Sequence, residues 1–156
     1  MAKKKPDTKS EVAQLAKELL SLMGTNATAE VSEDPENGAF VVSINAGDAA
    51  GLLIGRRGET LLSFQMVLGV MVRQKLGEWV RIVVDVGDWR EKEEERLNSL
   101  ALAAAERAKE TGQPQPLYNL SPAQRRVVHL ALSNDSDIET ESLGEDAERY
   151  LVVKPK

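Results

Sequence analysis

With 156 residues, 42% hydrophobic content, a formal net charge of −5, one histidine and no cysteine, the chain suits one or two small domains of cytosolic type. The lack of cysteine excludes a disulfide framework, a zinc ribbon and a thiol nucleophile, and a lone His129 excludes a multi-histidine metal cage. Metal or thiol catalysis is therefore not expected, nor is a cofactor, and the longest apolar runs, such as Met66 to Val72, fall far short of the roughly 20 residues that a bilayer span needs, so no transmembrane segment is expected. Net acidity and an aromatic content of 4% argue mildly against a nucleic-acid partner, and local motifs have to decide.

Met1-Ala2-Lys3-Lys4-Lys5-Pro6 is basic but leads into Asp7 and Thr8 rather than an apolar stretch, so it is not a secretory signal. Residues 1–8 read as a disordered basic arm, either attracting phosphate or merely solubilising. Thr8 to Gly24 follows as an amphipathic helix with Val12, Leu15, Ala16, Leu19 and Leu20 on one stripe and Thr8 with Glu11 as a capping box. Ala27 to Glu33 and Ala39 to Asn45 alternate as strands around Asp34-Pro35-Glu36-Asn37-Gly38, a hairpin signal. A short segment from Asp48 to Ile54 leads into Gly55-Arg56-Arg57-Gly58. Leu61, Phe64, Leu68, Val72 and Leu76 then mark a helix that closes near Gly77. Trp79 to Val86 reads as a largely buried strand.

Gly87-Asp88 is the predicted domain boundary, giving units over residues 9–87 and 88–156. The junction is short, which implies a fixed orientation of the two. Asp88 with Glu91 forms a second capping box opening a helix through Lys109, whose stripe of Leu97, Leu100, Ala101, Ala104 and Ala108 implies close approach to a neighbour. After the break at Gly112 to Pro116, Leu117 to Leu120 reads as a short strand. Ser121-Pro122-Ala123-Gln124 reads as a helix start, with the helix running to about Leu132. Ile138 to Ser142 and Arg149 to Val153 complete the chain as strands around a turn at Gly144. The fold class is therefore α/β, in the α+β sense: α-β-β-α-α-β followed by α-β-α-β-β.

Two motifs carry functional information. In Leu53-Ile54-Gly55-Arg56-Arg57-Gly58-Glu59-Thr60-Leu61 the glycines permit a tight turn through which backbone N–H groups approach phosphates while Arg56 and Arg57 supply charge. By pattern alone it is either such a clamp or a plain linker between helices. With Ile54 and Leu61 flanking it, and with the order of elements around it, the segment resembles a type II KH domain, in which a Gly-x-x-Gly loop clamps nucleotides. From Asp48 to Val86 it is similar to the KH domain of the bacterial Jag/KhpB family, also called SpoIIIJ-associated proteins. Arg125-Arg126-Val127-Val128-His129, with Leu120-Ser121-Pro122 before it and the two terminal strands after, resembles that family's second module, the R-three-H (Arg-x-x-x-His) domain of single-stranded nucleic-acid binders. Members often carry another amino-terminal domain and a charged linker; this chain resembles the RNA-binding half or a short form.

Arg125 and His129 share one helical face. Alone, His129 reads more readily as a residue packing on the terminal hairpin. The resemblance implies that Arg125 and His129 contact nucleic acid, and charge adds Arg126 and Arg149. It also implies Ile54, Gly55, Arg56, Arg57, Gly58 and Leu61 as the KH contacts, with Ile54 and Leu61 lining a groove for bases. Glu91, Glu93, Glu94 and Glu95 read as a solvated first helical turn, and Trp79 and Trp89 as core or interdomain packing rather than stacking platforms. The expected function is single-stranded RNA binding without catalysis by a cytoplasmic protein, the alternatives being a protein-interaction module or a single-stranded DNA binder. The resemblance further implies post-transcriptional regulation linked to cell envelope or division. It offers a small companion KH protein and the neighbourhood of the membrane insertase YidC as candidate partners.

Overall fold

A computed structural model describes residues 7–156. Lys3, Lys4 and Lys5 lie outside the described residues. The chain divides into two units between Arg90 and Glu91.

The first unit comprises α1 (Thr8–Leu22), β1 (Thr28–Asp34), β2 (Ala39–Asn45), α2 (Ala50–Ile54), α3 (Glu59–Leu76) and β3 (Ile82–Val86), the α-β-β-α-α-β order expected of a type II KH domain. Spacing by four buries Val12, Ala16 and Leu20 of α1 against the sheet. The expected Thr8–Glu11 capping box does not form. The helix starts at Thr8, so Asp7 occupies the cap position and makes no side-chain cap bond. β1 and β2 pair antiparallel, and β2 and β3 run parallel, which requires the crossover that α2 and α3 supply. Alternation buries Ile82, Val84 and Val86.

β3 starts at Ile82, later than the sequence reading has it, and this changes the place of Trp79. Beyond the last ladder pair the alternation of the strand no longer applies, and Trp79 is 63% exposed with the Arg73 guanidinium 4.6 Å above its ring. The reading of Trp79 as a packing residue is thereby corrected. Trp89 does pack on the core of the first unit. β3 is an edge strand whose free backbone groups are taken up by side chains: Gln65 accepts from the Val84 N–H at 2.9 Å, and Arg90 donates to the Val84 carbonyl at 2.7 Å. Blocking an edge in this way removes a site for stray strand pairing. Asp85 also accepts from the Arg90 N–H at 3.2 Å. These bonds tie Arg90 to the first unit, and the division falls beyond Gly87-Asp88.

The second unit is built from α4 (Trp89–Thr111, most of which belongs here), β4 (Gln115–Leu117), α5 (Pro122–Leu132), β5 (Ile138–Leu143) and β6 (Tyr150–Pro155). The sheet order is β4-β6-β5, antiparallel throughout. Leu97, Ala101, Ala104, Ala105 and Ala108 of α4 are buried in the core of this unit. β4 lies earlier than the expected strand from Leu117 to Leu120 and contains Pro116. An edge position tolerates a residue without an N–H, so the proline break and the strand coincide. α5 opens as read: Ser121 Oγ accepts from the Gln124 N–H at 3.2 Å and Gln124 Oε1 from the Ser121 N–H at 2.8 Å, with Pro122 at the first helical position.

Candidate functional site

In the first unit, the Gly-x-x-Gly loop joins α2 to α3. Gly55 combines φ +69° with an extended ψ, a backbone conformation essentially confined to glycine, and Gly58 has φ +77° in the left-handed region that glycine favours. Packing adds a second reason for each: a Cβ on Gly55 would collide with Thr60, and one on Gly58 with the indole of Trp89. Arg57 is left-handed as well, with φ +54°. Glycine conformation and indole packing thus hold the loop in one shape. Arg56 and Arg57 are exposed and have no ion-pair partner among the described residues.

The apolar contacts expected beside the loop divide. Ile54 is half-buried at the end of α2, while Leu61 is completely buried in the core of the first unit. Leu61 therefore supports the loop from beneath and lines no groove for a base, because the first turn of α3 points it inward with Phe64 and Leu68.

In the second unit, α5 and the terminal hairpin enclose an open cleft of about 450 Å³. Arg125, Arg126 and His129 line it from α5, Thr140 and Ser142 from β5, and Arg149 from the turn before β6. Three guanidiniums, an imidazole and two hydroxyls thus share one wall, and no carboxylate lines it. Arg125 has a structural task as well: its Nη1 donates to the Leu120 carbonyl at 2.8 Å and to the Arg149 carbonyl at 3.4 Å. A guanidinium carries five N–H donors, so those bonds leave others free for an anion. His129 bonds through Nδ1 to the Thr140 hydroxyl while its ring stays exposed at the cleft. Contact with the terminal hairpin and exposure to the cleft are therefore both true of this residue.

Arg126 and Arg149 have no carboxylate partner among the described residues. Thr140 and Ser142 escaped the sequence reading. Their signal was present: alternation from buried Ile138 puts both hydroxyls on the helix-facing side of β5, where apolar residues are the norm. Of the glutamates opening α4, Glu93 is not simply solvated. It accepts from Arg96 at 2.7 and 2.9 Å and from the Gln124 amide at 2.8 Å, bonds that hold its carboxyl below the usual range, Arg96 having the larger effect.

A different surface lies on α3. Leu62, Met66, Val70 and Trp79 are 47%, 73%, 50% and 63% exposed and line an apolar groove of about 370 Å³.

Comparison with known proteins places both units in context. Residues 95–155 match the model of the R-three-H domain. Over 156 residues the chain is 30% identical to the RNA-binding protein KhpB of Clostridium symbiosum, covering 99% of this chain and 69% of that protein. It is 31% identical to the Bacillus subtilis protein of the same name over 112 residues, 70% of this chain and 54% of the relative. With the Streptococcus pneumoniae protein the identity is 23% over 154 residues, 96% of this chain and 47% of the relative. The chain thus spans about two thirds of the first of these relatives and about half of the other two.

Proposed function

The chain belongs to the KhpB family, and from that premise we propose that it binds single-stranded RNA, with the Gly55–Gly58 loop and the cleft of Arg125, Arg126, His129 and Arg149 each holding sugar-phosphate backbone. The observation that carries this reading is the cleft. Guanidiniums brought together with no carboxylate among them repel one another unless an anion comes between them, and here they gather in a chain whose net charge is −5. Arginine presents its planar fork to phosphate oxygens, and a histidine beside it donates a further hydrogen bond. The names of the relatives, RNA-binding proteins, agree with this chemistry.

Binding without catalysis is part of the proposal. The one histidine is oriented by a hydroxyl rather than by the carboxylate that ordinarily positions a general base. A cytoplasmic location and a role in post-transcriptional control near the cell envelope or YidC rest on the family resemblance. No described helix is long and apolar enough to cross a membrane.

The test is fluorescence anisotropy with a labelled single-stranded RNA, the DNA of the same sequence, and the corresponding duplex. The expected order is RNA first and duplex last, with Arg126→Ala weakening binding to single strands. DNA bound as tightly as RNA would convert the reading to a general single-strand binder, because the 2′-OH is what separates the two. Duplex bound best would reject it.

The α3 groove favours a second activity alongside the first. Exposed apolar groups grouped in this way mark protein contacts, and the family resemblance makes a small companion KH protein the candidate. Sedimentation of the chain with and without that companion tests it, with Met66→Glu expected to abolish any complex.

A further inference from the structure

Tyr118 and Tyr150 lie ring against ring on the second sheet, centroids 4.9 Å apart and planes at 39°. Along β6, Leu151 and Val153 enter the core of the second unit, so alternation turns Tyr150 to the opposite, outer face. Tyr118 follows Leu117, which is in register with Leu151, and the ring contact confirms that it shares that face. Tyr118 is 60% exposed while Tyr150 is half-buried beneath it. One ring therefore backs the other and leaves a rigid aromatic surface open to solvent.

The main chain couples this surface to the cleft. Arg149, whose side chain lines the cleft, immediately precedes Tyr150. Arg125 donates to the carbonyls of both Leu120 and Arg149, so a single guanidinium holds the two segments that carry the rings. Charge on the outer face is uneven. Its far end carries Glu139 and Glu141 around Lys154, at 3.7 and 2.8 Å, and at the near end Arg149 is the cation beside the exposed carboxylates Glu145, Asp146 and Glu148 of the turn before β6.

We infer that Tyr118, backed by Tyr150, is a base-stacking platform for a nucleotide adjoining the phosphate held at Arg149. This rests on the proposed single-strand binding and adds to it a contact to a base. Every base has a π face, so the platform stacks without choosing sequence, and each stacked base is worth about 5- to 140-fold in affinity.

The experiment uses the full chain, a labelled uridine ribo-oligomer, and an abasic oligomer of the same length. Tyr118→Leu is expected to weaken binding of the uridine oligomer by about 5- to 140-fold, Tyr118→Phe to retain it, and Arg126→Ala to weaken both oligomers. Tyr118→Leu should leave the abasic oligomer unaffected, since no base is there to stack. If Tyr118→Leu binds uridine like the parent while Arg126→Ala does not, the platform is wrong and RNA binding by the cleft stands. Weaker binding of both oligomers by Tyr118→Leu makes Tyr118 a structural residue and overturns the platform. If the parent binds neither oligomer, RNA binding fails and the platform falls with it. Should Tyr118→Leu not fold, photo-crosslinking the unaltered chain to a 5-iodouridine oligomer replaces it. An adduct mapped to Tyr118 supports the platform, and adducts confined to other residues reject it.

Discussion

At the scale of single residues, the Gly-x-x-Gly loop separates shape from charge. Gly58 combines a left-handed backbone with the Trp89 indole where a Cβ would stand, so Gly58→Ala should destabilise the chain by more than about 1 kcal/mol in urea unfolding. Arg57 is left-handed too, and Asp is among the residues that accept that conformation. The double variant Arg56→Asp, Arg57→Asp should therefore unfold like the parent and yet bind RNA less tightly. For a single strand the slope of log affinity against log salt should fall by about 0.7 for each phosphate that is no longer neutralised. An unchanged slope would show that these arginines touch no phosphate.

Among the elements, α5 shows most directly how local sequence places a functional side chain. The capping box of Ser121 and Gln124 sets where the helix begins, and thereby which way Arg125 and His129 face. Ser121→Ala should cost about 1 kcal/mol in thermal or urea unfolding. Gln124 is buried and also donates to Glu93, which joins the start of α5 to α4. Arg96 first, and then Gln124, hold the Glu93 carboxyl below its ordinary value, so the unfolded chain takes up a proton at a higher pH than the folded one. Stability from Glu93 is thus complete above the ordinary carboxylate range and is lost progressively from about pH 5 downward, as pH falls through the ordinary value and then the lowered folded one. Glu93→Gln should give a flatter dependence of stability on pH over that window. Parallel curves for parent and variant would mean that the pair contributes nothing.

For the molecule as a whole, the issue is whether the two units address one ligand. Two sites on one strand act through effective concentration, so each should matter more for a long oligonucleotide than for one that fills a single site. The loop variant Arg56→Asp, Arg57→Asp and the cleft variant Arg126→Ala, His129→Ala should each weaken a long RNA markedly. A short RNA should lose affinity only to the variant of the site it occupies. Equal losses at both lengths would indicate two independent sites.

The helices, the first hairpin, the glycine loop and the α5 capping box were legible in the sequence, because each depends on residues close together in the chain: a spacing of four, an Asn-Gly turn, Ser-Pro-x-Gln. Family resemblance rested on two such local signals, Gly55-x-x-Gly58 and Arg125-x-x-x-His129. What the sequence left open depends on distant residues meeting. That Leu61 is core and not groove follows from the way α3 packs on the sheet. The exposure of Trp79 follows from where the β2–β3 ladder ends. The need for glycine at position 58 is set by the Trp89 indole, far along the chain. Likewise the charges of Arg126 and Arg149 are far apart in sequence, and only the packing of α5 against β5 and β6 brings them to one cleft. Local rules specify which way a side chain leaves its own element; what it then meets is decided by packing between elements.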